Sequence, residues 1–322
     1  MRKAICLLVA LLAMFTFIGT SQAELTGLNG YQVTQIYASE IYTGKFIGGL
    51  DLYNNHLYFG EYTEIKSLDL ADPSTTTTLC TVSPNPGNSI ATVDPSTGTL
   101  YTAYGLSGAN FPYDMGYVDS GAFNWQATID GAYDSAIDST GSLYITANPG
   151  GLGTQVLSYA WNNGATETII NIGGASGGLA FDADNNLYVS DYDNNQILYY
   201  AATTLSGAQS TLTANDADGT IALTMPGYLA VDSENGYLYA SHLDAYWCTY
   251  VDRINLADTN DRLAVTTGGG KMVLDDEGAL YMIDSDWSVY NSTVNRVAAV
   301  PEPSTLILIL AGLVSLAMLR RK

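Results

Sequence analysis

The stretch Gly178-Leu179-Ala180-Phe181-Asp182-Ala183-Asp184-Asn185-Asn186-Leu187-Tyr188-Val189-Ser190-Asp191 decides how this chain is read. It alternates apolar residues through a short strand, passes a polar turn, and resumes as a second strand. Its Leu-Tyr pair recurs six times, at Leu57-Tyr58, Leu100-Tyr101, Leu143-Tyr144, Leu187-Tyr188, Leu238-Tyr239 and Leu280-Tyr281. Successive copies are 43, 43, 44, 51 and 42 residues apart, and an aspartate precedes each by five or six positions: Asp51, Asp94, Asp138, Asp182, Asp232 and Asp275. A period in the forties with strand–turn–strand inside it predicts an all-β, six-bladed β-propeller, one four-stranded sheet per repeat. No sustained helical periodicity interrupts it between residues 24 and 299.

Both ends of the 322-residue chain carry a different signature. Residues 1–23 begin Arg2-Lys3, run apolar from Ala4 to Ile18, and end Ser21-Gln22-Ala23 before Glu24. That is the layout of a signal peptide, a signal helix cut by signal peptidase between Ala23 and Glu24. Residues 24–299 are then the propeller domain. The strand-like run at residues 31–38 lacks a Leu-Tyr mark, while the sixth repeat reaches the tail after only three strands. Residues 31–38 are therefore expected to supply the missing strand of blade 6 and remove an exposed sheet edge.

Residues 300–322 read Val300-Pro301-Glu302-Pro303-Ser304-Thr305, then Leu306 to Leu319 without a charge, then Arg320-Arg321-Lys322. The uncharged run would make a C-terminal transmembrane helix of roughly 22 Å, short for a hydrocarbon core of about 30 Å. Its basic end should stay cytoplasmic. The two prolines would hold an extended peptide outside the membrane for a protease to read. This tail resembles the PEP-CTERM family of bacterial sorting signals, with Pro301, Glu302 and Pro303 as the motif. The resemblance implies an exosortase as partner in a Gram-negative exporter, passage through the inner membrane, and delivery to the cell surface or extracellular matrix, often beside exopolysaccharide.

Charge narrows the remaining classes. Residues 24–299 hold six basic and 31 acidic side chains, a formal charge of −25. A phosphate backbone would be repelled, so nucleic acid is excluded as a partner. Outside the leader only Cys80 and Cys248 remain, in blades 1 and 5, and they are expected as two separate buried thiols.

The repeat resembles the six-bladed propellers of the NHL and gluconolactonase-like groups, whose inner strand reads roughly Gly-Leu-Ala-Val-Asp. The resemblance spans most of 44–299 and implies a fold, not a function. For catalytic members it implies a divalent cation held in the axial channel by Glu, Asp or Asn near the start of the inner strands. Five residues before the aspartates stand Phe46, Ser89, Tyr133, Gly177, Gly227 and Gly270. One register on gives Ile47, Ile90, Asp134, Gly178, Tyr228 and Lys271; one back gives Lys45, Asn88, Ala132, Ser176, Pro226 and Gly269. No register supplies the several oxygen ligands that calcium needs, so no cofactor or metal is expected.

Six residues that follow the second strands, Glu61, Tyr104, Asn148, Asp191, His242 and Asp284, should ring one mouth of the channel as a ligand-binding face. Carboxylates and a histidine there could take a cation or a sugar hydroxyl; they could equally be ordinary polar strand ends. His56 and His242 have no Ser or Cys partner in a motif, so no triad and no catalytic residue is assigned. Asp182 to Asp193 mimics a calcium loop but has Leu187 where the loop needs glycine, and reads as a hairpin turn. Longer loops are expected at Gly105–Gly116, Asn148–Gly153 and Asp244–Asp252, with Tyr104, Phe111, Tyr113, Tyr246 and Trp247 placed to stack on sugars. The reading favours a non-catalytic binding or structural module, with a polysaccharide as ligand. A propeller-type hydrolase or lactonase using a divalent cation, and an adaptor for another surface protein, are the alternatives.

Overall fold

A computed structural model of the chain describes residues 25–40, 45–82, 88–105, 112–149, 153–160, 163–286 and 291–300. The leader with Ala23 and Glu24, and the tail with Pro301, Glu302 and Pro303, lie outside the described residues. No helix among the described residues is long and apolar enough to cross a membrane.

The described strands form six sheets, and each is one blade. From the axis outward, blade 1 is Ile47–Tyr53, His56–Glu61, Glu64–Asp69 and Thr76–Thr81; blade 2 is Asn88–Val93, Leu100–Gly105, Pro112–Asp119 and Ala122–Asp130. Blade 3 is Asp134–Ile137, Leu143–Ala147, Thr154–Tyr159 and Thr166–Gly173; blade 4 is Ser176–Phe181, Leu187–Asp191, Gln196–Tyr200 and Gly219–Ala222. Blade 5 is Pro226–Asp232, Tyr237–Leu243, Thr249–Asn255 and Asp258–Thr267. Blade 6 is Met272–Leu274, Leu280–Asp286 and Asn291–Ala299, with the N-terminal strand Tyr31–Ala38 as its outer edge. The chain thus meets itself in an antiparallel pair, Tyr31 opposite Ala299 and Thr34 opposite Arg296, and just before it Thr26–Gly27 pairs antiparallel with the outer strand of blade 5.

The Leu-Tyr pair works by alternation along a strand. Its leucines are sealed in, four of them with no exposed surface and the other two at most 4% exposed. Each contributes about 2 kcal/mol by burial. The tyrosines take the other face, toward a neighbouring blade. Six hydrophobic clusters result, one for each interface between adjacent blades, including the closing one between blades 6 and 1. That closing interface also holds a polar clasp. Tyr37 Oη donates to Glu61 Oε2 at 2.7 Å, and Lys66 Nζ donates to both Tyr37 Oη, at 3.2 Å, and Glu61.

Five of the six repeat aspartates cap hairpin turns. Asp138 Oδ1 accepts the amides of Thr140 and Ser142, and Asp182 Oδ1 those of Asp184 and Asn186, which makes the calcium-like run a turn. Asp94, Asp232 and Asp275 do the same. Asp51 differs. Blade 1 turns on two residues, Asn54 and Asn55, both with positive φ (48° and 60°), so no capping carboxylate is needed. Asp51 lies opposite Tyr58, the position that Thr92 takes opposite Tyr101 in blade 2. It is a channel residue rather than a turn residue.

Other departures are local. A helix of six residues, Ala202–Gly207, interrupts blade 4; it is too short to leave a periodic trace. Half of the loop expected at Gly105–Gly116 is the strand Pro112–Asp119, and the blade 5 loop ends at Thr249, where the next strand starts. Cys80 is buried as expected, but Cys248 is exposed. Gly178 has no room for a side chain: a Cβ would stand 2.7 Å from Tyr228 Cα, so glycine lets the inner strands of blades 4 and 5 touch.

Candidate functional site

The six inner strands stand around the axis, each against the next, and leave space at both ends. The space at the hairpin end, where inner strands finish, has a volume of about 350 Å³ and is lined by Asp51, Thr92, Ser135, Phe181, Lys271 and mainly aliphatic neighbours. Asp134 of blade 3 is buried beneath two of these lining residues, Ser135 and Lys271. Its Oδ1 accepts Ser135 N at 2.8 Å, its Oδ2 accepts Leu179 N of blade 4 at 3.2 Å, and Lys271 Nζ of blade 6 donates to it across the axis. Lys271 itself is only 9% exposed. Asp51 repeats the same device two blades back, accepting Leu52 N at 2.8 Å and Val93 N of blade 2 at 2.6 Å. Burial raises both carboxyls, Asp51 up to about 6, with Lys271 pulling the other way. Thr92 Oγ1 and Ser135 Oγ join blades 2 and 3 at 2.5 Å.

At the other end lies a second space of about 340 Å³, lined by Tyr133, Tyr192, Tyr228, His242, Ser241 and Gly270 among others. Tyr133 and Tyr228 stack there, centroids 4.9 Å apart and planes 12° from parallel. Burial pushes the Tyr133 phenol up to about 12 and Tyr228 well above its usual value, so both hydroxyls stay neutral donors. His242 stacks on Tyr250, with Nε2 3.3 Å from Asp252 Oδ2. Neither ring nitrogen makes a hydrogen bond, so the approach to Asp252 is too poorly aligned to count as one.

From the rim of this space, between Leu243 and Thr249, rises the loop Asp244–Cys248. Asp244 Oδ1 accepts the amides of Tyr246, at 2.7 Å, and Cys248, at 2.9 Å, and Trp247 is held at φ 64°. A tryptophan in the left-handed region is uncommon. Tyr246 is 85% exposed and Trp247 69%, so the turn presents two aromatic rings to solvent.

The six strand-end residues occupy corresponding places in their blades, but their side chains are used differently. Of the six, His242 is among the residues that line the space. Glu61 is bound in the Tyr37–Lys66 clasp. Tyr104 packs edge-on to Phe123 at 4.8 Å, inside the core between blades 1 and 2. Asn148 Oδ1 accepts Gly153 N at 2.9 Å. Asp191, 1% exposed, accepts Asn194 Nδ2 and Gln196 Nε2. Asp284 is half-buried beside Gly268. Of the residues that shape the mouth, Tyr133 stands just before the inner strand of blade 3, Tyr228 lies within that of blade 5, and Tyr192 follows the second strand of blade 4; the first two fall in the compared registers, where only oxygen ligands for a cation count.

The residues do not fit a divalent cation in the channel. With blade 1 correctly aligned, the ring of inner-strand starts reads Gly49, Ile90, Asp134, Gly178, Tyr228 and Lys271, and its single carboxylate is already answered by an ammonium group. Among the described residues no three His, Cys, Asp or Glu side chains converge to hold a metal. The hydroxyls and rings at the other mouth have the character of a site for a neutral, polar, flat-faced ligand.

Residues 299–322 match the PEP-CTERM protein-sorting motif, which implies export and processing by an exosortase after transit anchored in the membrane. No curated protein matches the chain. In shape the propeller is similar to a gluconolactonase from Xanthomonas campestris (TM-score 0.58, 13% identity, covering 86% of this chain and 91% of that one). It is similar as well to the PQQ-bound aldose sugar dehydrogenase of Streptomyces coelicolor (0.56, 16%, 84% and 100%) and to virginiamycin B lyase from Staphylococcus aureus (0.52, 9%, 83% and 99%). At these identities the likeness carries the fold alone. The chain is a six-bladed β-propeller of gluconolactonase-like shape that ends in a PEP-CTERM sorting motif.

Proposed function

We propose that this protein is delivered by exosortase sorting to the cell surface or extracellular matrix, where its propeller binds polysaccharide without turning it over. The observation that carries the reading is the aromatic mouth: Tyr133, Tyr192 and Tyr228 line a space of about 340 Å³, and Tyr246 and Trp247 stand exposed at its rim. Aromatic faces stack on the apolar faces of sugar rings while phenol and serine hydroxyls meet their hydroxyls. The Lys271 ammonium against Asp134 supports the non-catalytic part, because the position at which a propeller hydrolase would seat its cation already holds a charge of that sign.

The test is a glycan array probed with the purified full-length protein, with lactone and ester turnover assayed on the same sample after titration with calcium. Retention on neutral glycans without turnover is the expected result, and Trp247→Ala should lower retention at least tenfold. Stoichiometric calcium with lactone turnover would replace this reading with the hydrolase. Capture of one defined surface protein by the Tyr246–Trp247 loop, with no glycan retained, would replace it with the adaptor.

A further inference from the structure

The last described strand runs straight into the sorting motif. In blade 6 Leu274, Leu280 and Val297 stand level where the inner strand finishes, so Asn291–Ala299 runs from the loop end to the hairpin end. Ala299 pairs with Tyr31, and Val300 N donates to Gly30 O at 2.7 Å. The chain is therefore held in the sheet up to the residue before Pro301. Only Pro301-Glu302-Pro303-Ser304-Thr305 separate it from Leu306, where the uncharged run begins. Six residue steps of at most about 3.6 Å reach roughly 20 Å, and part of that crosses the headgroup layer.

That reach restricts how the ring can stand. The motif implies transit anchored in the membrane. To lay the loop end against lipid, the tail would have to double back along its own strand of nine residues, a length of about 30 Å, and it is too short. Sheet twist inclines the third strand of a blade by two steps of about 20–25° each, which still leaves its end on the hairpin side. Charge favours no other attitude. Residues 24–299 hold six basic side chains against 31 acidic ones, so anionic headgroups draw no face of the propeller toward them. The hairpin turns add exposed carboxylates at Asp72, Asp184, Glu234 and Asp276. Their repulsion acts over about 8 Å at physiological salt, less than the tether, and prevents contact without turning the ring over.

We infer that, while the chain is anchored, the propeller stands with its hairpin end toward the membrane and presents the aromatic mouth, with Tyr246 and Trp247, to the outside. The mouth is then open to a ligand before the tail is cut, and the charged end of the axis is the one that lipid screens. The inference rests on the sorting motif and the direction of the last strand, and not on what the mouth binds.

The experiment places the chain, freed of its leader but still carrying residues 300–322, in vesicles of phosphatidylethanolamine and phosphatidylglycerol whose headgroups bear a fluorescence quencher. Cys248, exposed beside Trp247, takes a fluorophore at the loop end, while Cys80 is buried. Ala183→Cys in a Cys248→Ser background carries the same fluorophore at an exposed hairpin turn. The hairpin label should be quenched at least threefold more than the loop label. Twenty glycine and serine residues inserted between Val300 and Pro301 add a flexible span of about 25 Å and should bring that ratio to about one. A ratio near one without the insertion, which a ring lying on its side would give, overturns the inference, as does a loop label quenched more strongly. A ratio that the insertion leaves unchanged also overturns it, since the tether would not then set the attitude. No readout involves glycan, so a mouth that bound none would leave the ratio as it is.

Discussion

The two ends of the propeller axis are built from the same six strands and are of nearly equal volume, yet they differ in kind. The hairpin end is charged and internally answered: Lys271 meets Asp134, Asp51 lines the same space, and every oxygen of the two carboxylates has a backbone amide. The loop end is aromatic, with stacked tyrosines, a histidine whose ring nitrogens make no hydrogen bond, and a strained tryptophan at the rim. Polar groups that are satisfied within the chain specify a structure. Polar groups and rings left without partners are the ones that can take a ligand. The hairpin end should therefore govern stability and the loop end recognition.

The largest expected effect tests the first half of that division. Lys271→Met removes the cation and leaves Asp134 buried and uncompensated, which should cost about 3–5 kcal/mol. The urea midpoint reads this directly, and the double variant Lys271→Met/Asp134→Asn should recover part of the loss. Glycan retention, measured below the melting temperature, should not change. A single variant as stable as the wild type would mean that the axis is wetter than its burial indicates.

Acidity sharpens the same half. The folded-state carboxyl of Asp51 is raised from 3.8 to about 6, so the folded protein holds this proton more tightly than the unfolded chain does. Between about pH 4 and pH 6 Asp51 alone then lowers stability as pH rises, and protonation on the way down relieves its burial. Asp72, Asp94 and Asp216, lowered by their turn hydrogen bonds, slope the opposite way at still lower pH. The informative quantity is the difference between Asp51→Asn and wild type: it should move by on the order of 1–2 kcal/mol across that window and be flat above it. A constant difference would place Asp51 outside the coupled set that includes Asp134 and Lys271.

Where the ring closes, at the loop end, the effect is smaller. Tyr37→Phe removes the hydroxyl that joins blade 6 to Glu61 and Lys66 of blade 1, and should cost about 1 kcal/mol because the Lys66–Glu61 pair survives. Thermal unfolding should show it without loss of glycan retention, since Tyr37 serves the closing interface between blades 6 and 1.

What could be seen in the sequence follows the same line. The period survives because Leu57, Leu143, Leu187 and Leu238 have no exposed surface, and such positions admit few residues. Asp51 keeps the spacing of the other repeat aspartates although it caps no turn, because a count of residues cannot distinguish a two-residue Asn54-Asn55 turn from a longer turn that an aspartate closes. Asp134 and Lys271 stood in one register, yet a register does not show which faces meet across an axis. The mouth was sought among acidic strand ends, and Glu61 and Asp191 proved to spend their charge on Lys66, Asn194 and Gln196. Repetition marks the parts that pack; a ligand site lies where the repeat is broken, as in the loop after Leu243.

That loop offers the smallest change in stability and the clearest separation. Trp247 sits at φ 64°, where a residue with a Cβ pays of order 1 kcal/mol and glycine pays nothing. Its ring is 69% exposed, so little packing is lost with it. Trp247→Gly should leave the melting temperature unchanged or raise it by a few degrees, because relief of the strained backbone offsets the greater freedom of the unfolded chain. The same substitution removes the larger ring at the rim and should abolish measurable glycan retention. Trp247→Ala separates the two contributions: it keeps the strain, lacks the ring, and should bind as weakly as the glycine variant while melting lower. If the glycine variant still held glycan, the strain at Trp247 would serve only the turn around Asp244, and recognition would rest on Tyr133, Tyr192 and Tyr228 alone.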